Sequence, residues 1–463
     1  MAHANGNREG SATFCHILAV PYPARGHINP MMNLCRSLVS KKPDILVTFV
    51  VTEEWFGLIG SDQKPDNIRF GTIPNDLTSE LARSGDYSPD FLEEVLRKME
   101  APVDCLIDQL HPLVSTIIYD SYLVFGVRIG NRRNIPAASF WTMPALVYSV
   151  FDHLDLLVQH HHFPITLKEQ GEERIDYIPG VSSIRIADLP TCLYGKGLSV
   201  LNRGLEAVSC VSKAQYLLLV SVYELESEII DALRGKLSIP IYHIGFPIPY
   251  FKQLEDYNIP SATNDHLQWL DSQPKGSVLY VSQGSLHSAS KAQLEEIEAG
   301  LRLSRVRYFW VARKEASRFK DSCGEKGLVV PWCDQLRVLC HPSIGGFWSH
   351  CGWNSTSEAI FCGVPMLTFP IYWDQTSNSK QIVEDWEIGW RANGKMGEDG
   401  LIPREEIAEL IQKFMDSEKE EVKELRRRAK ELSKICRGTI ENGGSSETDL
   451  EAFLNDIFQS QRN

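Results

Sequence analysis

The chain has no run of about 18 apolar residues, so no membrane-spanning helix is expected. Its greasiest stretch, Ala137 to Phe151, is short and broken by Pro144. The opening MAHANGNREGSATFC is polar without an apolar core, so no secretory signal is expected. On that ground the glycosylation pattern Asn354-Ser355-Thr356 is read as a chance match. Basic charge is in deficit, with 47 Lys and Arg against 60 Asp and Glu and a net charge of −13. That excludes nucleic acid, which needs a basic surface. The one basic run, Lys423 to Lys430, has helical spacing and reads as a solvated face. Eleven cysteines are present without one Cys-x-x-Cys pair. Cys340-His341 and His350-Cys351 lack the ligand spacing of a zinc site. An odd count in a long chain points to free thiols and a reducing, cytoplasmic location. Gly-x-Gly-x-x-Gly and Gly-x-Ser-x-Gly are both missing, which excludes a dinucleotide oxidoreductase and a serine hydrolase. There is no internal repeat and no low-complexity segment.

What is present is alternation. At 463 residues the chain is long enough for two domains of about 200 each. Apolar runs that read as strands occur at His16 to Val20, Ile45 to Val51, Ile68 to Ile73, Thr116 to Tyr119 and Ala137 to Phe140. Helical patterns lie between some of them, one from about Ile28 to Val39 and another from Pro89 to Leu110. The alternation stops near Gly245, in the Pro-rich, polar stretch FPIPYFKQLEDYNIPSATND, and restarts with strands at Ser277 to Val281, Tyr308 to Val311, Leu328 to Val330, Ile344 to Trp348 and Met366 to Phe369. Three helical segments finish the chain, the last near Ser446 to Phe458. The pattern predicts an α/β protein of two Rossmann-like, doubly wound parallel-sheet domains facing a central cleft. The expected division is a first domain 1–245, a linker 246–265 and a second domain 266–463. The final helix is expected to pack back on the first domain.

Ligands in such sheets bind at the carboxyl ends of strands. Three loops fall there: PYPARGHINP, SQGS (282–285) and SHCGWNS (349–355). In the third, Gly352 permits a tight turn and a helix is expected to start at Asn354 or Ser355, both good N-caps. Free N–H groups at a helix start, beside a His and hydroxyl donors, suit phosphate. Glu358 lies one turn on and suits sugar hydroxyls. Ser282, Gly284 and Ser285 offer a second set of small donors. Trp332, at another strand end, can stack on a base, and Asp374-Gln375 can bind sugar hydroxyls. Base, diphosphate and sugar together describe a nucleotide sugar.

The whole segment from Trp332 to Gln375 resembles the signature box of plant UDP-glycosyltransferases in its length, its Trp start, its HCGWNS core, Glu358 and its Asp-Gln end. The resemblance extends to Gly26-His27, to YVSxGS (280–285) and to the tail GGSS (443–446). It implies the GT-B architecture and a set of roles. Trp332 would stack on uracil while the Cys333 backbone bonds its edge. Gln335 and Glu358 would hold the ribose. His350, Asn354, Ser355 and Ser285 would hold the phosphates. Trp353, Asp374 and Gln375 would bind the sugar, with Thr142 contacting it from the acceptor domain. A terminal Gln, here Gln375, is associated in that family with glucose.

Transfer to a hydroxyl also needs a base, and His has its pKa nearest neutrality. His27 follows the first strand, and Asp120 ends the strand STIIYD at the same sheet edge, where a carboxylate can orient an imidazole. The resemblance assigns this same dyad. The expected reaction is a single inverting displacement giving a β-glucoside from UDP-glucose. No Asp-x-Asp pair of the metal-holding kind occurs, so neither metal nor resident cofactor is expected. A monomer is expected, with a nucleotide sugar and a small-molecule acceptor as partners.

Two departures from the family pattern stand out. Arg25 precedes Gly26 where many relatives carry Gln. It either faces solvent or caps the loop, or it pairs with a carboxylate, on the acceptor or on a donor such as UDP-glucuronate. Gln283 replaces the usual Phe, and local repacking is expected. Phe140, Trp141, Met143 and Tyr148 either wall a pocket for a flat or greasy acceptor (phenolic, flavonoid, terpenoid or hormone) or are ordinary core. The reading from another class is a catalytically idle protein that binds nucleotide sugar or a small molecule. The presence of both His27 and Asp120 argues against it.

Overall fold

Two parallel sheets organise the computed structural model, which describes residues 15–74, 89–248, 264–284, 289–320, 323–392 and 401–460. The strands of the first half are β1 (Cys15–Val20), β2 (Ile45–Thr52), β3 (Ile68–Ile73), β4 (Thr116–Asp120), β5 (Ala137–Trp141), β6 (Arg174–Ile175), β7 (Ile184–Arg185), β8 (Tyr216–Leu219) and β9 (Ile241–His243). Those of the second half are β10 (Val278–Ser282), β11 (Arg307–Val311), β12 (Gly327–Val330), β13 (Ile344–Ser349), β14 (Met366–Thr368) and β15 (Gly389–Arg391). The first sheet runs β3-β2-β1-β4-β5-β8-β9 and the second β12-β11-β10-β13-β14-β15, while β6 and β7 form a small antiparallel pair.

Both large sheets have helices between successive parallel strands, which fixes the doubly wound α/β architecture expected from the alternation. Every residue of β1, β4 and β5 is buried, as strands covered on both faces must be. In each sheet the order reverses beside the first strand of its half, β1 or β10, and the loops after those strands open at the carboxyl edge. Strands β8, β9 and β15 add four, three and three residues to the sheets and were not read from sequence. The linker expected over 246–265 lies largely outside the described residues.

The first helix begins at Arg25, three residues before the expected start, so His27 stands in its opening turn and not in a loop. The helix tolerates Pro30 in its interior. Proline has no N–H for the carbonyl four residues back, here that of Gly26, which is left to find another donor. The last helix, Ser445–Ser460, crosses back to the first domain and packs on β9. Its Asp449 accepts from the His243 N–H (2.9 Å) and pairs with Arg234 (2.9 Å), its Asp456 accepts from the Tyr242 hydroxyl, and its Phe453 meets the Tyr216 ring edge-on at 5.6 Å.

The expectation that all cysteines are free is corrected at one pair. Cys340 and Cys362 form a disulfide, their Cα atoms 5.2 Å apart. They lie 22 residues apart in sequence, at the ends of two neighbouring helices, a proximity that residue spacing did not reveal. Among the described residues no helix is long and apolar enough to cross a membrane.

Candidate active site

A cavity of about 1030 Å³ runs between the two sheets. From the first domain Arg25, His27, Tyr122, Thr142 and Met143 line it. From the second come Ser282, Gly284, Trp332, Cys333, Gln335, His350, Gly352, Trp353, Asn354, Ser355, Glu358, Asp374 and Gln375. The structure thus brings together most residues singled out in the sequence. Ser285 lies outside the described residues. Phe140, Trp141 and Tyr148 do not line the cavity. They are wholly buried, because β5 and the helix after it are covered on both sides. For these three the core alternative holds, with the Trp141 ring edge-on to Tyr148 at 5.1 Å.

On the first-domain wall, His27 Nδ1 lies 2.6 Å from Asp120 Oδ2. An ionised carboxylate only accepts, so Nδ1 carries the proton and Nε2 keeps its lone pair. Asp120 is held in turn, its Oδ1 accepting from the Tyr122 N–H at 3.1 Å. The Thr142 hydroxyl stands 3.2 Å from His27 Nδ1, beside the dyad. Tyr22 and Tyr122 enclose the imidazole, with ring centroids 5.1 and 6.3 Å away. This aromatic lining was not found from sequence. Tyr122 sits two residues beyond Asp120, a spacing that could have suggested it.

On the second-domain wall, Gln335 links three groups. Its amide donates to Glu358 (2.8 Å) and to the Ser355 hydroxyl (2.9 Å), and its carbonyl accepts from the Tyr280 hydroxyl (3.1 Å). Burial pushes the Glu358 carboxyl up to about 7, with the Gln335 bond opposing. Burial likewise raises Asp374 to about 6, although Asn378 donates to it at 2.8 Å. The Cys333 thiol is pushed up to about 12 by burial, so it stays protonated near neutrality. Gln375 Oε1 accepts from the N–H groups of Ile371 and Tyr372 at 2.8 and 3.0 Å. Trp332 is 57% exposed at the mouth, with a face free to receive a flat ring.

The helix of HCGWNS starts at Trp353 with Gly352 as its N-cap, one to two residues earlier than expected. Gly352 has no side chain to cap with, so the first-turn N–H groups of a ten-residue helix open toward the cavity. The reason for glycine here is His350. A Cβ on Gly352 would stand 2.5 Å from His350 Nε2, and one on Gly284 (φ +76°) 2.3 Å from it. Two glycines therefore clasp the ring. Desolvation lowers His350 to about 4, helped by the charge of Arg313 and opposed by a bond to the Ser282 backbone. The ring is neutral at physiological pH.

Two residues expected to touch the donor have side chains engaged across the cleft. The Trp353 indole N–H donates to the Val220 carbonyl at 2.7 Å. The Asn354 amide donates to the Gly26 carbonyl at 2.9 Å, the carbonyl that Pro30 leaves without a helical partner. These side-chain bonds join the domains, and both residues also line the cavity. Arg25 lies over the Trp55 ring at 5.9 Å and is otherwise exposed toward the cavity. Gln283 is buried, its side-chain carbonyl accepting from the Ala289 N–H at 3.4 Å.

Residues 239–430 match the family model described as UDP-glucoronosyl and UDP-glucosyl transferase. UDP-glycosyltransferase 87A1 of Arabidopsis thaliana is 49% identical over 442 residues, covering 95% of this chain and 99% of that protein. UDP-glycosyltransferase 87A2 of the same plant is 49% identical over 446 residues, covering 96% and 97%. Among solved structures, Os79 from O. sativa in complex with U2F and trichothecene superposes with a TM-score of 0.81 at 28% identity, covering 95% of this chain and 100% of that one. UGT71G1 from Medicago truncatula, complexed with UDP-glucose, superposes with a TM-score of 0.80 at 25% identity, covering 96% and 99%.

Proposed function

Since this chain belongs to the plant UDP-glycosyltransferase family, we propose that it transfers glucose from UDP-glucose to a hydroxyl of a small hydrophobic acceptor, with His27 as general base. That it is a glycosyltransferase using a UDP-sugar follows from its family and its GT-B fold. The observation that carries the finer reading is the 2.6 Å contact between His27 Nδ1 and Asp120, on the wall opposite the opening of the Trp353–Cys362 helix.

The step balances as follows. The acceptor oxygen attacks the anomeric carbon and gives its proton to His27 Nε2. The bond from that carbon to the diphosphate oxygen breaks, and UDP leaves with the electron pair. Asp120 stabilises the imidazolium that forms. Helix N–H groups and the neutral His350, as a hydrogen-bond donor, face the departing charge. Attack opposite the leaving group inverts the anomeric centre. Trp332 takes the base, Gln335 and Glu358 the ribose, and Asp374 with Gln375 the sugar. Residues 1–245 then serve the acceptor and 266–463 the donor. Support for an apolar acceptor comes from Tyr122, Met143 and Trp373 around His27.

The test is UDP release from UDP-glucose with a panel of phenolic and terpenoid alcohols, wild type beside His27→Ala, with product masses. Acceptor-dependent release, a hexosyl mass gain and its loss in the variant are expected. UDP-glucose binding without release for any acceptor would sink the glucosyl reading, and release from UDP-glucuronate alone would move the donor assignment to Arg25.

A further inference from the structure

The loop after β14 brings Trp373, Asp374 and Gln375 to the cavity, and Trp373 adopts a left-handed backbone with φ +62°. A bulky residue does not hold that conformation unless its surroundings impose it. The constraint comes from the other domain. Thr191 Oγ1 accepts from the Trp373 N–H at 2.7 Å, and the Thr191 N–H donates to the Trp373 carbonyl at 2.9 Å. Both polar groups of one residue are held by a single residue 182 positions away.

The clamp aims the side chain. The Trp373 indole N–H reaches Met143 Sδ at 3.1 Å, and its ring lies 6.0 Å from Tyr122, the ring that flanks His27. It also fixes the loop that presents the two sugar-facing residues, since Gln375 closes the same loop through the Ile371 and Tyr372 N–H groups. Neighbouring cross-domain bonds grip the helix that Asp374 caps and Gln375 begins, beyond the Trp373 backbone. Thr376 Oγ1 donates to the Leu189 carbonyl (2.9 Å), Ser377 Oγ donates to the Asp188 carbonyl (2.8 Å), and Arg391 pairs with Asp188 (2.6 Å). These hold the helix Gln375–Lys380 and β15 without touching Trp373. Docking of the two segments is therefore separable from the Thr191 hydroxyl.

We infer that Thr191 is a positioning residue for sugar transfer: its clamp on Trp373 sets Asp374 and Gln375 against the sugar and Trp373 against the acceptor. This rests on the UDP-sugar transfer proposed above. Thr191→Val keeps the branched shape and the backbone donor but removes the acceptor of the Trp373 N–H, whereas Thr191→Ser keeps it. With UDP-glucose and a working acceptor, kcat of Thr191→Val is expected to fall about tenfold, the worth of one hydrogen bond expressed in the alignment of sugar and acceptor. UDP affinity by calorimetry should stay within about twofold, because the base and diphosphate groups lie on other loops. Thr191→Ser should turn over like wild type. Ser377→Ala, on the neighbouring contact, should shift the melting temperature and leave kcat alone. Wild-type turnover in Thr191→Val overturns the inference, as does an equal kcat loss in Ser377→Ala, which would reduce the clamp to ordinary docking. Should the Val variant not fold, a kcat loss in Thr191→Ser as large as in Thr191→Ala would overturn it instead. A wild-type protein that binds UDP yet transfers from no UDP-sugar removes the reaction itself, a result distinct from a working enzyme matched by Thr191→Val.

Discussion

His27 and His350 face one cavity from opposite walls, and their surroundings differ in one respect that decides their chemistry. His27 has a carboxylate at 2.6 Å. His350 has two glycines against its ring, and the nearest charge acting on it is the cation Arg313. The first environment stabilises a proton arriving on Nε2. The second refuses a proton and keeps the ring a neutral donor. On the proposed function, proton acceptance falls to one histidine and anion recognition to the other, each according to what packs beside it.

Exchanging the roles by mutation should break the pair asymmetrically. His27→Ala is expected to cut kcat roughly a thousandfold while UDP affinity stays within about threefold, read by turnover and calorimetry side by side. Equal loss of UDP binding would take His27 out of the base role. Asp120→Asn should cost about a hundredfold, since an amide cannot stabilise the imidazolium. An unchanged rate would dismiss the dyad. Gly284→Ala attacks the other wall. Its Cβ would meet the His350 ring at 2.3 Å from a backbone at φ +76°, so UDP affinity should weaken about tenfold with a smaller change in kcat.

The smallest effect concerns stability. The unfolded chain protonates His350 near its ordinary value of 6.5, the folded one only near 4. Between these values the unfolded state binds more protons, so stability is full above 6.5 and declines as pH falls toward 4. At pH 5 the loss amounts to about 2 kcal/mol. His350→Gln should therefore melt closer to wild type, or above it, at pH 5 than at pH 7.5. A difference independent of pH would show that the ring is solvated after all.

The two walls were not equally legible. The cavity-lining residues between Trp332 and Gln375 occupy one contiguous segment, and strand ends place them without knowledge of the rest. The alternation of strands and helices likewise carries the sheet architecture. What could not be read were contacts made by residues distant in sequence. Trp353 and Asn354 line the cavity, and their side chains also bond Val220 and Gly26, 133 and 328 residues away. Pro30 hints at the second of these, because it frees the Gly26 carbonyl, but nothing local names the donor that comes to it. Phe140, Trp141 and Tyr148 have the composition of a pocket wall, and composition does not say that β5 and the helix after it are covered on both sides. The start of the first helix was missed because Pro21, Pro23 and Gly26 look like a loop, although Ala24 begins the helix with an extended backbone.

The return of the helix Ser445–Ser460 to β9 has a consequence for how the molecule is made. β9 is the outermost strand of its sheet, and its companion helix is specified some two hundred residues downstream. During synthesis the first half leaves the ribosome with that flank uncovered, while the entire second half is translated. An exposed strand edge in a nascent chain invites wrong pairings. The flank is closed only when the terminal helix emerges, so completion of the first domain reports that the second has been made.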